Sequence, residues 1–161
     1  MRYFKENCKL IDTFANNQKY RLLYIGKPNA DCDLEGYCKS KNVTNAYFKG
    51  EFKNEDKPKL YKDIDLINAL YGNDSLEVTT ALPNRLYDGI LFKKPVIATK
   101  GTYLGEIVKA NKVGLCLNLD DRNIDLKIEE YISSLDFDEF NLNCKRMLNK
   151  INIEQKHFLK K

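Results

Sequence analysis

Histidine is nearly absent: among 161 residues there is one, His157, expected on the surface of the last helix. Chemistry built on imidazole pairs therefore has nothing to work with. Phosphate-gripping loops are missing too. The chain contains no Walker A run and no Gly-x-Gly-x-x-Gly, so a nucleoside triphosphatase or a Rossmann dehydrogenase would lack its hold on phosphate. Cysteine is present but unpaired in pattern. Five residues, widely spaced, make no disulfide framework, and Cys32 and Cys38 lack a second pair at zinc spacing. A reducing cytoplasm is the simplest setting. No apolar run reaches bilayer length, and the first residues lack the apolar centre of a signal peptide. Strong charge is lacking as well: +4 falls far short of a nucleic-acid-binding profile, though it helps hold a phosphorylated ligand or an anionic membrane surface. Two Asp-x-Asp triplets, Asp31–Asp33 and Asp63–Asp65, have no further oxygen ligands around them, and no metal is expected.

What is present suits one domain with a real core, since 43% of residues are hydrophobic and 31% charged, with no repeat, linker or low-complexity block. Helical spacing predicts helices at Tyr3–Asn17, Asp31–Lys41, Glu55–Asp63, Tyr103–Asn111, Asn123–Leu135 and Phe137–Lys160. Strands are predicted at Arg21–Ile25, Asn45–Lys49, Ile64–Leu70, Pro95–Thr99 and Val113–Leu119, with Tyr71–Val78 a polar loop. Strand and helix alternate throughout, which argues for a parallel α/β sheet with crossover helices. At the centre lies Thr79–Lys100. It reads as a loop, a helix opened by Pro83 with Leu82, Leu86, Ile90 and Leu91 on one stripe, and a buried strand. A helix N-terminus at the strand ends is where an open parallel sheet takes an anion.

The run LPNRLYDGILFKKPVIAT resembles the donor-site signature of retaining GT-B glycosyltransferases, in particular family 4. NAYFKGEF with KLYKDIDLINAL, and GTYLGEIVKANKVGLCLN, extend that resemblance to most of the chain. The fold it implies is a Rossmann-like parallel sheet flanked by helices, matching the C-terminal, nucleotide-sugar-binding half of a GT-B enzyme. In the family this half opens with a strand and a Gly-rich turn before its first helix. Here Tyr3 already begins that helix, so the first strand is expected to be lacking and the chain to be a fragment. In a doubly wound sheet that strand lies in the middle. Its loss would expose two rows of backbone groups, which another copy of the chain is expected to cover.

The resemblance makes Asp88 a ribose clamp, one turn past Arg85 on an exposed shoulder. This needs a carboxylate open at the rim, and a plain acid near a helix N-terminus is the simpler account, worth about 0.3–1 kcal/mol. The family usually has Glu there, one methylene longer. A second family acid, eight positions earlier, is replaced by Thr80, with Glu77 as a nearby substitute. Arg85 and Asn84, beside the amides of Ala81 and Leu82, would receive a pyrophosphate. Arg2 matches the family's basic first loop, Gly26 and Gly50 end strands on the ligand side, and Glu51 and Phe52 match the loop beside the base. Glu106 matches a Glu-Ile facing the donor, or serves only to cap its helix.

The activity implied is transfer of a sugar from a nucleotide diphosphate carrier to a polysaccharide or lipid-linked acceptor, without metal. The acceptor domain is not in this stretch, so it alone should bind nucleotide weakly. The implied setting is cytoplasmic, at the inner face of a membrane for the whole enzyme. A GT-B epimerase and a non-catalytic binding module with a degenerate donor site stand as alternatives.

Overall fold

The computed structural model describes residues 3–27 and 32–158. Arg2, and Asp31 of the first acidic triplet, lie outside them, as does the side chain of His157. The fold is α/β, with every strand parallel and helices on both faces.

Helix α1 (Phe4–Phe14) leads into β1 (Leu22–Ile25), α2 (Leu34–Ser40) and β2 (Ala46–Lys49). A 3-10 turn at Asn54–Asp56 runs straight into α3 (Lys57–Lys62), with Pro58 in its first turn, where no hydrogen bond is lost. Then come β3 (Ile67–Ala69), α4 (Leu76–Thr80), α5 (Asn84–Phe92), β4 (Val96–Thr99), α6 (Tyr103–Ala110), β5 (Gly114–Leu117), α7 (Ile124–Ser134) and α8 (Phe137–Phe158). The expected elements are present, a residue or more shorter at most ends. One correction concerns the polar loop: Leu76–Thr80 is helical, because Ser75 Oγ accepts from the Val78 amide at 3.3 Å and supplies an N-cap.

The strands form two sheets, β1-β2 and β3-β4-β5. Ile97 of β4 pairs with Asn68 on one side and Leu115 on the other. Val96, Ile97 and Ala98 are buried on both faces, as expected for a central parallel strand. On one face Ile67, Val96 and Ala98 meet Leu86 and Ile90 of α5, Leu104 and Val108 of α6 and Phe140 of α8. On the other, Leu70, Ile97 and Leu117 meet Leu10 and Phe14 of α1 and Ile124 and Ile128 of α7. The buried stripe of α5 is Leu86, Gly89 and Ile90. Leu82 and Leu91, expected on it, are 37% and 57% exposed, because the contact seam is narrower than the apolar spacing.

Asn45, 8% exposed, joins the end of α1 to the start of β2. Its Nδ2 donates to the carbonyls of Phe14 (2.8 Å), Tyr20 (3.0 Å) and Asn17 (3.2 Å). Its Oδ1 accepts from the Asn16 amide at 2.9 Å. The side chain thereby ties together a turn in which the Phe14 and Asn17 carbonyls also accept from the Asn17 and Tyr20 amides, at 3.2 and 3.0 Å.

Candidate functional site

The carboxyl ends of β3 and β4, with the start of α5, gather the groups the sequence singles out. Helix α5 starts here because Pro83 holds an extended N-cap and has no amide to lose. Asn84 is exposed. Arg85 is half-buried and turns back toward β3, donating from Nη1 to the Asn68 carbonyl at 2.5 Å. Its guanidinium also lies 5.6 Å from the Tyr71 ring centre, a cation–π contact. Tyr71 in turn stacks on Tyr3 at 4.6 Å. Burial raises the Tyr71 hydroxyl above its ordinary value, and the Arg85 charge opposes that rise.

Asp88 departs from expectation. It is not on an exposed shoulder: its side chain is 13% exposed and faces α3. Lys57 Nζ lies 2.9 Å from Oδ1 and 3.0 Å from Oδ2. Tyr61 OH donates to Oδ2 at 3.0 Å. Lys57 and Tyr61 are four apart on α3, so both reach the same carboxylate. A carboxylate offers about four lone-pair positions, and these contacts occupy most of them. A ribose diol can use both oxygens only by displacing Lys57. As found, Asp88 is a tie between α3 and α5 rather than an open clamp. Tyr61 also stacks on Phe92 at 4.8 Å. Its hydroxyl is pushed up to about 12, by burial first and the Asp88 charge second.

The remaining expected residues are scattered. Thr80 Oγ1 donates back to the Leu76 carbonyl at 2.8 Å, inside α4, and does not cap α5. Ala81 is the C-cap of α4. It closes α4 two residues ahead of Pro83, the N-cap of α5. Glu77 is exposed in the first turn of α4. Gly26 ends β1 at φ +138°, a conformation open to glycine, and its amide reaches the Lys49 and Gly50 carbonyls at 3.2 Å. Glu51 lies 3.6 Å from Lys27, and Phe52 is 40% exposed nearby.

Glu106 is exposed in the first turn of α6, but Thr102 is the cap: its Oγ1 accepts from the Gly105 amide at 3.0 Å and donates to the Thr99 carbonyl at 2.7 Å. Glu106 lines a separate cavity of about 640 Å³ between β5, α6 and the α7–α8 corner. Asp63 and Asp65 are exposed, and no metal-binding cluster occurs among the described residues. All five cysteines are free. No helix among the described residues is long and apolar enough to cross a membrane.

No family model matches this chain, and no curated protein matches it either.

Sequence reasoning passes over Lys57, Tyr61, Asn68, Tyr71 and Thr99. Thr99, 5% exposed at the end of β4, has a buried hydroxyl with no protein partner. The four-residue spacing of Lys57 and Tyr61 marks a shared helix face in the sequence. Nothing local says that Asp88 lies opposite it.

Proposed function

We propose that the chain is the donor-binding half of a retaining, metal-independent glycosyltransferase that takes a nucleotide diphosphate sugar. The single observation that carries this reading is Arg85. A half-buried cation stands at the start of a helix, at the carboxyl end of a parallel strand, which is where open α/β sheets receive phosphates. The diphosphate would meet that guanidinium and the amides of the first turn of α5. In this reading Lys57 and Asp88 hold each other's place. The ribose hydroxyls take the carboxylate, and the displaced ammonium moves to the phosphates. The resemblance of LPNRLYDGILFKKPVIAT supplies the reaction class. The setting proposed is cytoplasmic, with a lipid-linked or polysaccharide acceptor.

The closed Asp88 favours a second reading, a binding or assembly module that keeps the fold without the donor site. Calorimetric titration with UDP and GDP separates the two. Weak saturable binding, lost in Arg85→Ala and Asp88→Asn variants that keep their helical circular dichroism, is expected of the transferase domain. A folded chain that takes up neither nucleotide at millimolar concentration refutes that reading and leaves the module.

A further inference from the structure

Away from the start of α5, the cavity between β5, α6 and the α7–α8 corner gathers hydrogen-bonding groups that the protein does not use. It measures about 640 Å³, within the range of about 300–1,000 Å³ that suits small organic ligands. Leu115, Leu135 and Phe140 give it apolar walls.

The backbone supplies the first unused groups. β5 is the last strand of its sheet, and the Val96 and Lys100 amides reach the Val113 and Leu117 carbonyls at 3.1 and 3.0 Å. In a parallel ladder alternate residues address opposite sides, so Val113, Leu115 and Leu117 address β4. Gly114 and Cys116 turn their N–H and C=O groups to the edge that no strand among the described residues covers. Both line the cavity.

Side chains supply the rest. Tyr131 of α7 and Asn143 of α8 line the same cavity. The Tyr131 hydroxyl and Asn143 Nδ2 are buried with no hydrogen-bond partner among the described residues. Asn143 Oδ1 accepts from Arg146 Nη1 at 3.5 Å, which leaves Nδ2 as the unused donor. Burial pushes the Tyr131 hydroxyl up to about 12, so it keeps its proton at neutral pH. A buried donor without an acceptor is costly, and two beside one cavity mark a wall that a ligand oxygen would satisfy.

Charge at the rim is balanced. Lys100, Lys109 and Lys112 are matched by Glu106, Asp136 and Glu139. Lys112 Nζ lies 2.7 Å from Glu139, and Asp136 Oδ1 accepts from the Asp138 and Glu139 amides at 2.9 and 3.0 Å. Nothing there calls for an ionic occupant.

We propose that this cavity is a binding site for a small uncharged amide with an apolar, ring-sized body. The amide oxygen accepts from Tyr131 and Asn143, its N–H donates to an edge carbonyl of β5, and the body rests on Leu115, Leu135 and Phe140. An amide directs its C=O and N–H away from each other and so serves two walls at once. A carboxylate brings acceptors only, with an unmatched charge to bury. The site is separate from Arg85 and Asp88 and does not depend on the nucleotide reading.

NMR titration of the 161-residue chain with phenylacetamide tests this, with phenylacetate as the isosteric anion. Phenylacetamide should give saturable shifts at millimolar concentration, centred on Gly114, Cys116, Tyr131 and Asn143. It should bind at least about fivefold tighter than phenylacetate. Tyr131→Phe keeps the ring and removes the hydroxyl. That variant should melt no lower than the parent, since the hydroxyl has no protein partner to lose, and should weaken phenylacetamide at least about fivefold. Asn143→Leu, with its helical circular dichroism kept, should weaken it similarly. A lower melting temperature for Tyr131→Phe shows the hydroxyl to be structural and overturns the proposal. So do equal binding of the anion, affinity unchanged in both variants, or the absence of saturable shifts at the four residues. None of these measurements uses a nucleotide.

Discussion

Arg85 Nη1 donates to the Asn68 carbonyl at 2.5 Å, across the edge of β3 that no strand among the described residues covers. A residue expected to wait for a phosphate is thus engaged in closing the sheet. The same economy governs Asp88, which holds α3 on α5 through Lys57 and Tyr61.

The Lys57–Asp88 pair is mostly buried, at 21% and 13% exposure. Removing one partner leaves the other charge without compensation. Asp88→Ala is expected to cost about 1–3 kcal/mol, less than a fully buried pair because solvent reaches Lys57. The double replacement Lys57→Met with Asp88→Leu should recover most of that loss. Urea midpoints of the single and double variants read the difference.

Asn45 satisfies three carbonyls and one amide from inside the core. Asn45→Ala should cost about 1–3 kcal/mol, because the Tyr20 carbonyl and Asn16 amide lose this partner while the Phe14 and Asn17 carbonyls keep a backbone one. Asn45→Asp should be worse, since it sets an acceptor against three carbonyl oxygens. Chemical denaturation of the two variants, side by side, gives the order.

Gly114 packs against the Val96 backbone, and a Cβ there would overlap the Val96 carbonyl oxygen. Gly114→Ala should destabilise by about 3 kcal/mol or prevent folding, because backbone cannot yield as a side chain does. Gly50→Ala, where a Cβ meets nothing within 4 Å, should leave the melting temperature within a few degrees of the parent.

Tyr20 and Tyr61 are pushed up to about 12, chiefly by burial and then by Glu129 and Asp88 respectively. Unfolded tyrosines ionise near about 10. Between these values the folded chain keeps protons that the unfolded chain has lost. Stability from these groups is therefore complete below about pH 10 and disappears as pH rises toward about 12. Urea unfolding across that window, with tyrosinate absorbance followed in parallel, should show it. Tyr20→Phe should remove its share of the slope.

Much of the fold is legible in the sequence, because alternating apolar runs and helical stripes are local signals. Val96–Ala98 declares a buried strand by its composition, and Leu86 and Ile90 declare the face of α5. The exposed Leu82 and Leu91 show the limit: spacing names a stripe, while the width of the packing seam decides how much of it is used. The candidate site is legible only as a place. Asn84, Arg85 and Asp88 do gather at the start of α5, yet Thr80 and Ala81 are spent on α4, whose cap at Ser75 the apolar pattern does not announce.

The sequence by itself determined the alternation of strand and helix, and hence a parallel α/β architecture, since each element is written in the spacing of its own residues. Only the tertiary structure decided what Asp88 and Arg85 touch. Their partners, Lys57 and Asn68, stand 31 and 17 residues away, and no local pattern encodes a contact made by bringing distant segments together. The division into two sheets belongs to the same class, because pairing is a property of neighbouring strands in space.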